Sequence, residues 1–206
     1  MPPEDSEITW EFLLNAYASG YFPMATSRKS NALEWFYPEM RGVLPLDNFH
    51  IPRSLAKFMR KSPFIITTDK TFEQVIRNCA NIDESRDSTW INDEIIKLYC
   101  QLHANGFAHS VECWQQDGRE PRLVGGLYGV AIGGAFFGES MFSKVSNASK
   151  VALVHLVGLL RKSGYTLLDA QFINEHLLQF GIEEIPRDTY LARLDRAIAI
   201  KPEKCF

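Results

Sequence analysis

The chain has 206 residues, of which 46% are apolar and 23% charged. This is an ordinary globular composition, and it excludes disorder, collagen-like repeats and a coiled coil as the main architecture. With 22 basic and 25 acidic residues the net charge is −3, so only a local basic patch could hold nucleic acid.

Cysteine spacing and hydropathy indicate where the protein works. The cysteines form no C-x-x-C pair, a spacing that argues against zinc and disulfide frameworks and suits a reducing cytosol. Residues 1–7 are acidic without an apolar run, and the uncharged run 123–138 is short and rich in glycine. We therefore expect no signal peptide, no membrane segment and a soluble, cytoplasmic protein.

The N-terminal part predicts one helix followed by irregular chain. Thr9 is a possible N-cap and Gly20 a stop signal for a helix over residues 9–20. Residues 21–40 are rich in proline, serine and aromatic residues, which predicts irregular chain wrapping the surface. We place a domain boundary there, with a small N-terminal domain over residues 1–38 and a larger one over 39–206.

A second helix is predicted over residues 52–61, and it carries a basic face. Four cations fall at i, i+4, i+7 and i+8 and therefore share one side, opposite the apolar face: Arg53, Lys57, Arg60 and Lys61. Residues 41–70 hold the only local excess of basic residues in the chain. This face is either a solvated helix surface or an anion-binding one.

The remaining elements predict an α+β domain with a mixed sheet flanked by helices. The predicted elements are helices over 71–79 and 91–105, a strand over 108–114, a hairpin of 122–132 with 135–142, a helix over 149–162, a strand over 166–173 and a helix over 174–180. Gly133-Gly134 suits the hairpin turn. The strand–helix–strand unit over 136–173 should place its two strands parallel.

Three polar residues lie in apolar surroundings. Strand periodicity puts Asp169 and Gln171 on one face, roughly 7 Å apart, where they either line a cleft or are satisfied structurally. Glu139 directly follows an apolar run of the hairpin strand. A buried carboxylate needs a partner, so Glu139 either meets a ligand or forms a buried salt bridge.

Several common catalytic patterns are absent from the sequence. The five histidines have no metal-ligand spacing, and neither a G-x-S-x-G elbow nor a phosphate-binding P-loop is present. We therefore expect no metal and no cofactor. Residues 146–150 open the long helix and suit either an anion or ordinary capping.

The ordered motifs of this chain resemble those of the leucyl/phenylalanyl-tRNA–protein transferases. They extend from about residue 21 to 190 and comprise Pro52-Arg53-Ser54, Thr89-Trp90-Ile91, His109-Ser110-Val111-Glu112, residues 123–129, 136–143 and 147–150, Asp169-x-Gln171 and Ile185-Pro186-Arg187. Several long motifs in order make a specific signal.

The resemblance implies transfer of Leu, Phe or, less well, Met from aminoacyl-tRNA to the N-terminal amine of proteins that begin with Arg or Lys. That modification marks proteins for N-end rule degradation. It also implies that residues 39–206 form a GNAT-like acyltransferase domain behind a shortened N-terminal domain. The expected partners are Leu-tRNA, Phe-tRNA and such proteins, with no membrane and no metal.

The resemblance also assigns roles to individual residues. It implies a catalytic pair, Asp169 and Gln171, with Gln171 either a base or an orienting group, and an acceptor-peptide site at Glu139 and Asp169. It implies tRNA 3′-end binding by Trp90 and the residue at position 24, and the basic helix face becomes a candidate for tRNA phosphates. The implied walls of the aminoacyl side-chain pocket are Leu127, Phe136, Met141, Leu153, Leu156 and Leu160.

Two departures and two alternatives accompany this interpretation. Met24 stands where many members of the family carry tryptophan, and the chain begins late relative to them. One alternative is a GNAT-type N-acetyltransferase that uses acetyl-CoA, although residues 142–150 hold none of the glycines of a pyrophosphate turn. The other is a non-catalytic tRNA- or peptide-binding module.

Overall fold

A computed structural model describes residues 8–206 apart from 29, 31 and 82–87, so residues 1–7 and the predictions made for them lie outside the described part. Its helices and strands are, in chain order, α1 (Trp10–Ala18), β1 (Phe22–Ala25), β2 (Leu33–Phe36), β3 (Met40–Leu44), α2 (Arg53–Met59), β4 (Phe64–Thr68), α3 (Phe72–Cys79), α4 (Asp93–Ala104), β5 (Ala108–Asp117), β6 (Glu120–Ile132), β7 (Ala135–Ser143), α5 (Ala148–Lys162), β8 (Leu167–Gln171), α6 (Glu175–Leu178), β9 (Glu183–Pro186) and α7 (Arg187–Ile198).

A seven-stranded mixed sheet in the order β4-β5-β6-β7-β8-β3-β9 forms the centre of the fold. β7 and β8 run parallel, as the strand–helix–strand pattern predicted. The other neighbouring pairs in this sheet are antiparallel. The predicted α+β class with a mixed sheet is thus confirmed.

Helices cover both faces of this sheet, and strand periodicity divides the apolar residues between them. On β7, Phe136 faces the cluster that contains α5, while Phe137 faces the cluster that contains α1, α3, α4 and α7. On β6, Leu127 belongs to the cluster with α5 and Tyr128 to the other cluster. A sheet that is covered on both faces requires central strands that are apolar on both sides.

Strong local signals gave correct elements. Thr9 caps α1 by accepting a hydrogen bond from the Phe12 amide. The β6–β7 hairpin turns at Gly133-Gly134, as predicted, and Gly133 has a φ of +54°. Among the described residues, no helix combines the length and apolar character that crossing a bilayer requires.

The prediction of irregular chain over residues 21–40 was wrong. β1 and β2 pair antiparallel there, with Phe22 opposite Phe36. The sequence reading also missed β3, β4, β9 and helix α7. The predicted strand over 166–173 ends at Gln171, and the helix predicted over 174–180 is the single turn α6. The missed strands β3, β4 and β9 have four or five residues, carry little periodicity of their own and pair with strands distant in the sequence.

Two glycines provide a matched test of the hairpin turn. At Gly133 an added Cβ would lie 2.2 Å from the Ile198 carbonyl oxygen, whereas at the exposed Gly158 of α5 it would meet nothing within 4 Å. We expect Gly133→Ala to lower the free energy of unfolding by about 2 kcal/mol or more. Gly158→Ala should raise it by about 0.5–1 kcal/mol. Urea unfolding measures both, and equal stabilities would contradict this account of the turn.

Candidate active site

The candidate site lies where β7 and β8 separate. These strands pair only over residues 135–137 and 167–169. Beyond that point both strands line a cavity of about 170 Å³, which has one apolar side and one polar end. The polar end is formed by Glu139, Ser140, Asp169, Gln171 and Asn174. A cavity between two diverging strands allows polar groups of both strands to meet one ligand.

Most of the predicted side-chain pocket lines this cavity. Leu127, Met141, Leu153 and Leu156 are on its wall. Phe136 and Leu160 belong to the same apolar cluster but are not lining residues. Among the lining residues that were not predicted are three leucines, Leu44, Leu168 and Leu177. Leu168 adjoins the predicted catalytic pair and could have been found, whereas β3 and α6 bring in the other two through tertiary packing.

The Asp169 carboxylate is enclosed by hydrogen-bond partners that the sequence did not predict. Its side chain is 0% exposed and forms a salt bridge of 2.7 Å with Arg41, itself 1% exposed. Arg41 Nε also donates to both carboxylate oxygens, at 3.0 and 3.1 Å, and the Tyr190 hydroxyl donates to Oδ2 at 2.7 Å. Arg41 thus neutralises the charge of Asp169, which argues against the predicted contact of Asp169 with a cationic acceptor. It also removes Arg41 from the predicted basic patch.

Gln171 sits in a tight turn at the end of β8. Its φ is +59°, and the Phe172 amide donates to the Ala170 carbonyl at 2.7 Å, closing a three-residue turn. The backbone amide of Gln171 donates to Asp169 Oδ1 at 2.8 Å. A left-handed residue other than glycine is costly and is typical of functional sites. The simple strand geometry predicted for this pair therefore stops at Gln171.

Glu139 joins the polar end of the cavity to helix α4. Gln171 Nε2 donates to its Oε1 at 3.3 Å, and the Tyr99 hydroxyl donates to its Oε2 at 3.1 Å. Tyr99 in turn shares a hydrogen bond with Tyr17 of α1. Burial raises the pKa of Glu139 from 4.5 to about 7. This side chain therefore changes charge near neutral pH.

The predicted tRNA-binding residues fall in two places. The Ala25 amide of β1 donates to the Trp90 carbonyl at 3.1 Å, which brings the segments of Met24 and Trp90 together. Both of those side chains are partly buried against the core cluster that contains α1, α3, α4 and α7. On α2 and just beyond it, the four predicted cations are exposed, while Leu55 packs into the apolar cluster that contains α5.

The described residues do not show a cluster of three or more histidine, cysteine, aspartate or glutamate side chains that could hold a metal ion. What the site offers is the carboxyl groups of Glu139 and Asp169, the side-chain amides of Gln171 and Asn174, and an apolar cavity wall. Such a set can bind an apolar side chain beside a polar or cationic group. It can also orient a nucleophile by hydrogen bonding.

Comparisons with known proteins agree with one another over most of the chain. A family model described as leucyl/phenylalanyl-tRNA protein transferase matches residues 43–195, and the model of that family's N-terminal domain matches residues 6–39. Proteins named leucyl/phenylalanyl-tRNA–protein transferase are similar to it in Phenylobacterium zucineum (58% identity, 91% of this chain and 83% of that one) and Paramagnetospirillum magneticum (55%, 93% and 90%).

A further relative with the same name, from Caulobacter vibrioides, is 54% identical over 95% of this chain and 88% of its own. Among solved structures, FemX is similar with a TM-score of 0.55 at 12% identity, covering 84% of this chain and 66% of that one. At this identity the likeness to FemX concerns the fold alone.

The raised pKa of Glu139 predicts a pH-dependent effect on stability. Between pH 4.5 and about 7 the folded protein binds this proton more tightly than the unfolded chain does. Ionisation of Glu139 therefore lowers the free energy of unfolding as the pH rises from 4.5 to about 7. We expect Glu139→Gln to stabilise the protein by about 2 kcal/mol more at pH 8 than at pH 5. Urea unfolding at the two pH values measures this, and a gain independent of pH would contradict the raised pKa.

Proposed function

The chain belongs to the leucyl/phenylalanyl-tRNA–protein transferase family, and from this premise we propose that it moves Leu, Phe or, less well, Met from tRNA to N-terminal Arg or Lys of proteins. As a member it is a transferase that carries an aminoacyl group from tRNA to proteins. The modified proteins are marked for N-end rule degradation. The reaction takes place in the cytoplasm, which the scattered cysteines without a C-x-x-C pair suit.

The observation that carries this proposal is the cavity between β7 and β8. Its volume is about 170 Å³, and an apolar cavity of about 150 Å³ is enough to hold benzene. A leucine or phenylalanine side chain therefore fits against Leu127, Leu153 and Leu156. Because a methylene is worth only about 1–3 kcal/mol, such a pocket separates Leu, Phe and Met poorly.

The reaction is aminolysis of an ester. The α-amine of the acceptor attacks the aminoacyl carbonyl carbon, an amide bond forms, and the ester C–O bond breaks. The proton that the amine loses balances the one gained by the departing 3′-terminal hydroxyl of the tRNA. An α-amine has a pKa near 7.7–8.0, so part of it is already neutral at physiological pH. Orientation of the nucleophile is then the main requirement.

Gln171 is the group that we assign to this orientation. A glutamine side chain does not titrate in this range, so it cannot serve as a general base. Its Nε2 is engaged with Glu139, which leaves the amide carbonyl to accept a hydrogen bond from the attacking amine. Asp169 supports Gln171, because its Oδ1 accepts a hydrogen bond from the backbone amide of Gln171. Asp169 does not itself contact the acceptor's cationic side chain.

Glu139 supplies the negative charge that the acceptor site needs. The charge of Asp169 is compensated by Arg41, whereas Glu139 has hydroxyl and amide partners. A cationic acceptor residue beside Glu139 would lower the pKa of its carboxyl again and favour the ionised form. Binding of N-terminal Arg or Lys and ionisation of Glu139 therefore reinforce each other.

Two surfaces are proposed for the tRNA. Trp90 and Met24 contact its 3′ end, with the thioether of Met24 as a softer apolar surface than an aromatic ring. Arg53, Lys57, Arg60 and Lys61 contact phosphates of the acceptor stem. Their exposure supports this assignment, and binding through so few cations should be weak and salt-sensitive.

We also propose a GNAT-like acyltransferase fold for residues 39–206 and a small N-terminal domain over residues 1–38. The parallel pair β7–β8, joined through α5 and separating to admit an acyl group, supports the first assignment. The break between the two family matches, at residues 39 and 43, supports the second.

Transfer of labelled leucine tests the proposed function. We expect purified protein to move the label from Leu-tRNA to a peptide that begins with Arg, and not to a matched peptide that begins with Glu. Equal labelling of both peptides would contradict the acidic acceptor site. Binding of tRNA at low salt without transfer would favour a binding module. Loss of both transfer and binding would favour acetyl-CoA as the donor.

Replacement of Gln171 tests its role in orientation. We expect Gln171→Ala to lose most of the turnover while the affinity for aminoacyl-tRNA stays within about twofold of wild type, because the apolar cavity and the basic helix remain. Steady-state transfer and tRNA binding measured on the same preparation check this. Equal loss of turnover and binding would contradict the assignment.

A further inference from the structure

We propose that Arg41 and Tyr190 are positioning residues of the transfer reaction, which hold Gln171 in its turn by fixing the Asp169 carboxylate. The inference rests on the role proposed for Gln171 and adds two residues to it. Neither of the two lines the cavity, so both act through Asp169.

The turn at Gln171 needs an external support. A left-handed φ is unfavourable in a residue with a Cβ, and a three-residue turn of this hand is strained. The hydrogen bond from the backbone amide of Gln171 to Asp169 Oδ1 stabilises this backbone. If that carboxylate rotated, β8 could continue as a regular strand, and the Gln171 side chain would leave Glu139.

The Asp169 carboxylate is held against rotation by two side chains. Arg41 binds both of its oxygens through Nε and adds Nη2 on Oδ2, while the Tyr190 hydroxyl donates to Oδ2. Charge-assisted bonds of this kind are strong and directional. Oδ1 is thereby left pointing at the Gln171 amide.

Arg41 is itself fixed by residues far away in the chain. Its Nη1 donates to the Gly20 carbonyl at 3.1 Å, and its guanidinium lies between the rings of Phe22 and Tyr190, at 4.5 and 4.6 Å. A planar guanidinium stacked between two rings keeps one orientation. The geometry of Gln171 thus depends on the end of α1, the start of β1 and helix α7.

The neighbour of Arg41 provides a second, backbone contact with the same turn. A Cβ at Gly42 would lie 2.8 Å from the Phe172 carbonyl carbon and 3.1 Å from the Ile173 amide nitrogen. The pairing of β3 with β8 shifts register between Gly42 and Val43, opposite the turn. β3 therefore carries the Arg-Gly pair because one residue fixes Asp169 and the other gives the turn its space.

The first experiment removes one donor and keeps the packing. Tyr190→Phe retains the ring over Arg41 but loses the hydroxyl, which donates to Asp169 Oδ2 and accepts from Arg41 Nη2. We expect kcat for transfer to the Arg peptide to fall about tenfold, with KM for both substrates within twofold. Hydrogen exchange of the Gln171 amide should become faster. Tyr165→Phe, a partly buried tyrosine beside Cys205, is the matched control and should change neither measurement.

Two further variants separate positioning from a general loss of stability. Gly42→Ala leaves the Arg41–Asp169 pair in place but presses on Phe172, and it should also lower kcat with little change in KM. In a Gln171→Ala background, Tyr190→Phe should produce no further loss of kcat, because its effect passes through Gln171.

The proposal is overturned if Tyr190→Phe leaves kcat and the exchange of the Gln171 amide unchanged. It is also overturned if the losses of Tyr190→Phe and Gln171→Ala multiply. Absence of transfer by the wild-type protein would count against the proposed function instead. In that case the exchange rate of the Gln171 amide still decides whether Tyr190 holds the turn.

Discussion

The buried pair of Arg41 and Asp169 is the interaction on which the site depends. Removing two charges from water costs several kcal/mol per ion, so such a pair persists only where each group is fully hydrogen-bonded. Here Tyr190, the Gly20 carbonyl and the Gln171 amide complete the set. The pair thereby joins elements at both ends of the chain to one turn beside the cavity.

Two carboxyl groups on neighbouring strands, those of Asp169 and Glu139, differ in charge compensation because their surroundings differ. Asp169 is compensated by a guanidinium and has no exposed surface. The hydrogen-bond partners of Glu139 among the described residues are neutral, and burial raises the pKa of its carboxyl to about 7. In the function that we propose, one carboxylate fixes the geometry of Gln171, and the other responds to a cationic substrate. Pairs of acids separated in this way are typical of sites that assign different roles to the same side-chain type.

The sequence predicted the fold where its signals were local. The cap at Thr9, the glycine pair of the β6–β7 hairpin and the long apolar helix before Gly164 each act within a few residues. The strands β3, β4 and β9 were missed because they have four or five residues and take their register from distant partners. In such strands, pairing outweighs intrinsic propensity.

The sequence by itself determined to which family the chain is related, and it indicated the polar residues to which we propose to assign the chemistry. Glu139, Asp169 and Gln171 are visible as polar groups in apolar strands, and four of the six predicted pocket residues line the cavity. Only the tertiary structure decided that Arg41, 128 positions before Asp169, neutralises it, and that Gln171 leaves the regular strand. The reason is physical: the charge and conformation of a buried group are set by the atoms that enclose it, and those come from distant parts of the chain.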